Sequence, residues 1–324
     1  MFSNDESNNP STNPSMLDVI EQCDHDRRYF LKCSLGTATM ATFASTGLAG
    51  LSLNAVADDD EKRRKPFIGF QSVAPNKIPL TDAVTVPQGY TARVMIAWGD
   101  ALSVGPQWNP ATEMTEAVQL RTFGAHNDGM HFFPFSESER AGSKHGLLVT
   151  NHEYNDPGLV HATLTYATDA MTADRCNTPL AAHGVSVTEL IKPHRGKSWE
   201  VARPSRFARR ITGNTPMKIS GPAAGHSLLK TQMDSTGMRV LGTLNNCAHG
   251  HTPWGTYLTC EENWNGYFGT KEALLTQTPL EKRYGVTRTG FGYRWHEVND
   301  RFDVRVNPNE PNRFGWVVEI DPYN

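Results

Sequence analysis

The chain has 324 residues, 38% of them hydrophobic and 20% charged, which excludes a disordered or collagen-like polymer and leaves a globular chain with a sizeable core. Its net charge of −3 arises wholly in residues 1–57, which carry three basic and six acidic side chains and leave 28 of each for the remainder. A neutral body has no basic footprint for nucleic acid, and no apolar run reaches the roughly 18 residues of a membrane-spanning helix.

Residues 1–25 are rich in Asn, Ser and Pro without an apolar period. Asp26-Arg27-Arg28-Tyr29-Phe30-Leu31-Lys32 follows, then a weakly apolar stretch over residues 33–50 and Ala55-Val56-Ala57. A charged entry, a modest apolar segment and a small-x-small site read as a signal peptide over 1–57, and the paired arginines resemble a twin-arginine export signal. Cleavage after Ala57 removes Cys23 and Cys33 and leaves Cys176, Cys247 and Cys260, an odd number in an oxidising compartment. At least one thiol then needs burial or a metal. Residues 58–65 (DDDEKRRK) form a charged, solvated linker.

Residues 66–324 read as one domain. Strands are predicted over 90–98, 146–151, 185–191, 238–244, 256–260, 291–298 and 315–321, each bounded by Gly, Pro, Asn or Asp clusters. A short helix is expected to start within 271–275. No long 3.6-residue period appears, so the fold is expected to be all-β, a propeller or a large double sheet.

Three predicted strands end in acids. Alternation places Leu147, Val149, Asn151 and Glu153 on one side. It groups Leu258 with Cys260 on an apolar side and Thr259 with Glu261 opposite. Glu319 and Asp321 share a face, with Val318 and Ile320 behind them. Strand-end acids usually point into water; three coincident cases on apolar strands favour a cation. Cys247 lies in a loop made rigid by Gly250, Pro253 and Gly255, with His249 and His251 read as solvated. Cys247 and Cys260 are close enough in sequence for a disulfide, and residues 176–179 look like an ordinary turn. Phe123-Gly124-Ala125-His126-Asn127-Asp128-Gly129-Met130 is read as a second polar loop.

Arg27-Arg28, His126-Asn127-Asp128-Gly129, Asn151-His152-Glu153-Tyr154, Thr215-Pro216, Gly221-Pro222-Ala223-Ala224-Gly225, the block over residues 246–263 and Glu319-Ile320-Asp321-Pro322 together resemble the PhoX family of secreted alkaline phosphatases. The resemblance covers the chain after the signal. It implies a six-bladed β-propeller, Ca²⁺ and Fe³⁺ as cofactors, and hydrolysis of phosphate monoesters by a monomer exported to the periplasm or beyond through the twin-arginine machinery. It also implies Cys247 as an iron ligand, and Glu153, Glu261, Glu262, Glu319 and Asp321 as carboxylate ligands, with Glu261 preferred over its neighbour Glu262. Members continue past such a Glu-Ile-Asp-Pro segment, so the propeller is expected to be incomplete here. The alternative is a non-catalytic secreted propeller that binds Ca²⁺, or an inactive phosphatase fragment.

Overall fold

The computed structural model describes residues 72–74, 83–136, 142, 144–161, 165, 168–193 and 198–324. The signal and linker expected over 1–57 and 58–65 lie outside them. The chain divides into two units, Met1–Ala92 and Arg93–Asn324. Among the described residues of the first unit there is no helix or strand.

The second unit is mostly β, in antiparallel sheets. A five-stranded sheet contains β1 (Asn127–Pro134), β2 (His145–His152), β3 (Gly184–Ile191), β4 (Glu200–Val201) and β5 (Arg209–Ile211). The order is β1-β2-β3, with β4 and β5 both paired to β3. β6 (Pro216–Lys218) and β7 (Arg239–Leu241) make a hairpin. β8 (Asn246–His251), β9 (Tyr257–Glu261) and β10 (Val317–Ile320) make a third sheet in the order β10-β9-β8. None of these sheets closes into a barrel among the described residues.

Two apolar clusters hold the unit together. Phe133, Leu147, Val149, Val185, Val187 and Ile211 of the first sheet pack against Tyr257 and Ile320 of the third. Burial of such large apolar side chains is worth about 1.5–3 kcal/mol each, so this seam fixes the first sheet against β9 and β10. The other cluster gathers Leu180, Leu244, Tyr267, Phe268, Trp295, Phe302 and Phe314.

Five predicted strands form, at 146–151, 185–191, 238–244, 256–260 and 315–321, some of them shortened. Residues 90–98 and 291–298 form none. In the latter, Phe291 and Tyr293 lie in turns and only Trp295, at the start of a 3-10 turn over Trp295–Glu297, is fully buried in the core. The stretches read as loops around Asn127 and Cys247 are strands β1 and β8. The short helices are α1 (Glu116–Gln119), α2 (Pro157–Val160), α3 (Ala173–Ala182) and α4 (Pro279–Tyr284). Residues 271–275 are not helical. The helix starts instead at Thr278, where Thr278 Oγ1 accepts from Glu281 N and Glu281 Oε2 accepts from Thr278 N, a reciprocal cap. Residues 176–179 are no turn but the middle of α3, whose buried face is mainly small (Cys176, Thr178, Pro179, Ala181, Ala182, with Leu180) and so hides the helical period.

Candidate metal centre

The site is built from two β-bulges that face each other. In the β1–β2 pair, Asn127 opposes His152 and Met130 opposes Thr150, so Asp128 and Gly129 share Asn151 as partner. In the β8–β9 pair, Asn246 opposes Glu261 and His249 opposes Thr259, so Cys247 and Ala248 share Cys260. Bulges bend a strand and re-aim its side chains, and they gather at sheet rims. Gly129 lies so close to β8 that a Cβ there would fall 2.7 Å from the Cys247 carbonyl oxygen and 2.8 Å from His249 Nδ1. Only glycine permits that approach.

Buried polar groups lock the two bulges together. Asn151 Nδ2 donates to the Cys247 carbonyl at 2.7 Å, and Asn151 Oδ1 lies 2.9 Å from the Tyr257 hydroxyl, which is also 3.0 Å from the Gly129 carbonyl. Asn151 and Tyr257 are both fully buried. Each partner lost would leave a polar atom unpaired at a cost of about 1–3 kcal/mol. These two residues carry the geometry of the site, and the sequence marked neither for that role.

Four acidic groups meet at this rim. Burial, a hydrogen bond with Glu262 and the charges of Glu262 and Glu153 push the Cys247 thiol up to about 11. Burial, Asp128 and Glu262 raise the Glu153 carboxyl above its ordinary value. Glu153 follows the end of β2, its N–H bound to the His126 carbonyl at 3.1 Å, and Glu262 follows the end of β9. Like charges held together disfavour ionisation, and a cation reverses that. Among the described residues no three His, Cys, Asp or Glu side chains converge on a single point as a finished ligand set.

The other expected ligands stand apart from Cys247. Glu261 Oε1 accepts from Thr243 Oγ1 at 2.8 Å and Leu244 N at 3.3 Å; Oε2 accepts from Gly315 N at 2.9 Å and Trp316 N at 3.2 Å. Burial pushes this carboxyl up to about 7, although those four donors pull the other way. The buried residues of β9 are Tyr257 and Thr259, whereas Leu258, Cys260 and Glu261 are half-buried, the reverse of the expected apolar side. Glu319 accepts from Trp254 Nε1 at 2.7 Å and Thr256 Oγ1 at 2.5 Å on an exposed face, with Val318 and Ile320 packed behind as alternation required. Asp321 caps Tyr323 N at 2.9 Å. Glu261, Glu319 and Asp321 line one open cavity of about 520 Å³ with Met217, Leu258 and Trp316. Asp128, beside Glu153, is the acid that sequence reasoning passed over; its Asn-Asp-Gly context looked like a turn.

Cys176, Cys247 and Cys260 are all free thiols, so Cys247 and Cys260 form no disulfide. Cys176 is packed in the core, and burial first, against a hydrogen bond from Asn299, raises it to about 12.

No helix among the described residues is long and apolar enough to cross a membrane. Comparison with curated proteins gave no match. Among solved structures, Pseudomonas fluorescens PhoX in complex with vanadate, a transition state analogue, is similar at 43% identity and a TM-score of 0.72 over 79% of this chain. The chain spans 42% of that protein's length. The family described as Alkaline phosphatase PhoX matches residues 68–324. The chain therefore belongs to the PhoX alkaline phosphatase family.

Proposed function

We propose that this chain provides part or all of a secreted, metal-dependent phosphatase centre that hydrolyses phosphate monoesters. The carrying observation is the cluster of Cys247, Glu262, Glu153 and Asp128 at facing bulges, in a chain whose 43%-identical relative binds vanadate. The donor chemistry fits the cofactors: carboxylate oxygens suit Ca²⁺, and a thiol beside them suits iron, with Fe³⁺ the expected state. Cys247 and Glu262 would hold the iron, and Glu153 and Asp128 would hold Ca²⁺. Bound there, the cations would supply charge neutralisation for the phosphate oxygens and activation of the nucleophile. Asn151 and Tyr257 keep Cys247 in place, and Gly129 lets the two bulges meet. Glu261 serves as a structural strap in this reading, and Glu319 and Asp321 belong to the separate cavity.

The wider reading is a six-bladed propeller of which the three sheets are part, folded before twin-arginine export, and acting as a monomer in the periplasm or outside the cell. Because the chain spans 42% of its relative, turnover of a chromogenic phosphomonoester by these 324 residues is expected to be weak or absent. Extended with the remaining segment of the Pseudomonas protein, it should turn over in a Ca²⁺-dependent, chelator-sensitive manner. Elemental analysis of the protein made in a folding-competent host should find calcium and iron. Cys247→Ser should deplete iron selectively and Cys176→Ser should not. Metal-free protein and an inactive extended chain would overturn the reading.

A further inference from the structure

Three histidines at the same seam are used by nothing described so far. His131 is on β1, and His249 and His251 are two residues apart on β8. The His131 and His251 rings stack with centroids 4.1 Å apart, and the His131 and His249 rings lie 6.4 Å apart. None of the three imidazole rings makes a hydrogen bond to another described residue, and all three residues are at least partly exposed.

We infer that His131 and His251, with His249 as a third donor, form an accessory site for a borderline divalent cation such as Zn²⁺. Imidazole is the preferred nitrogen ligand of Zn²⁺, and a Zn–N bond of roughly 2.0–2.1 Å puts two imidazole centroids about 5 Å apart in tetrahedral geometry. The observed 4.1 and 6.4 Å lie on either side of that value, so the three rings do not converge as they stand and have to rotate out of the stack to share one ion. Strands β1 and β8 are held by the Gly129 contact and by the apolar seam beneath, where His131 meets Phe133 and His249 faces Tyr257. Burial, then the neighbouring His251 and His249, lower His131 below its ordinary value, which keeps a nitrogen lone pair available at neutral pH. The remaining coordination positions face solvent. Neither carboxylate nor thiolate is required, so the site stands independently of the Cys247 centre and of the phosphatase reading.

The test is calorimetric titration of the full chain with Zn²⁺ in excess Ca²⁺, which occupies the carboxylate sites. One equivalent should bind. His131→Ala and His251→Ala should each weaken it by at least tenfold, since changes even outside the ligand shell cost about 10–100-fold. His145→Ala, whose ring pairs with Glu189 at the far end of β2, should leave it unchanged. Circular dichroism of His131→Gln and His251→Gln verifies that weakened binding is not misfolding. Co²⁺ in place of Zn²⁺ should give visible bands without a thiolate charge-transfer band. Absence of Zn²⁺ binding, binding indifferent to His131 and His251, or a thiolate band that vanishes with Cys247→Ser would each overturn the site.

Discussion

Glu261 and Glu262 are chemically identical neighbours with opposite surroundings. A strand alternates its faces, so one of two adjacent side chains must point away from the other. Glu261 faces inward and accepts from three backbone N–H groups and one hydroxyl; Glu262 is exposed beside Cys247. Glu261→Ala should therefore destabilise the fold by roughly 1–3 kcal/mol, because it leaves the buried donors of Thr243 and Leu244 unpaired while those of the exposed Gly315 and Trp316 can turn to water. Glu262→Ala should leave the denaturant midpoint nearly unchanged and lower iron retention. Parallel urea melts and metal analysis separate the two, and equal loss of stability would refute the assignment. The sequence marked the acidic pair, and the structure sets Glu262 beside the thiol, a placement that nothing local records because it depends on which face of β9 the core covers.

At the scale of elements, α3 shows how tertiary contacts hold a segment whose own pattern is weak. Thr172 caps its N-terminus, and at its C-terminus Arg210 on β5 donates to the carbonyls of Ala181, Ala182 and His183 at 2.8–3.0 Å. The adjoining His183 is fully buried; Nδ1 lies 2.7 Å from the Pro179 carbonyl and Nε2 2.8 Å from the Tyr267 hydroxyl. Burial, together with the nearby Arg210 charge, lowers it to about 4 although the Pro179 bond pulls upward. Its folded value lies below the ordinary 6.5, so the unfolded chain binds the proton first. Stability is then complete above pH 6.5, falls as the pH drops toward 4, and levels off below that. The contribution is on the order of 3 kcal/mol. Because Glu261 titrates in the same window with the opposite sign and the buried His152 with the same sign, urea melts of the native chain and of His183→Gln should be compared across it. Their difference should fall with pH as described, and a pH-independent difference would discount the buried imidazole. The strands with plain alternation or continuous apolar runs, β2, β3, β9 and β10, were legible for the reason α3 was not. Their side chains face a core that rewards a period of two, whereas α3 buries small residues around Pro179. The α4 cap was passed over in favour of residues 271–275, although Thr278 and Glu281 stand at capping-box spacing.

At the scale of the whole molecule, the proposed export route depends on Arg27 and Arg28. Replacing both by Lys should retain the precursor in the cytoplasm by cell fractionation, and the exported form should begin near Asp58. Unchanged export of the double variant would show the pair to be incidental. By itself the sequence marked the family, a turn-rich and mostly β body, the thiol of Cys247, and Glu153 and Glu262 among the acids near it, but not Asp128. These follow from composition, from period-two alternation and from motif chemistry, which are local properties. The tertiary structure alone decided that two short runs read as loops are bulged strands and that Gly129 lets them touch. It also decided that Asn151 and Tyr257 fix Cys247, and that Asp128, Glu153 and Glu262 share its rim while Glu261, Glu319 and Asp321 do not. Such choices depend on strand register and on which face of each strand the core covers. Both are set by residues far apart in the chain, from Phe133 to Ile320, so no window of sequence contains them.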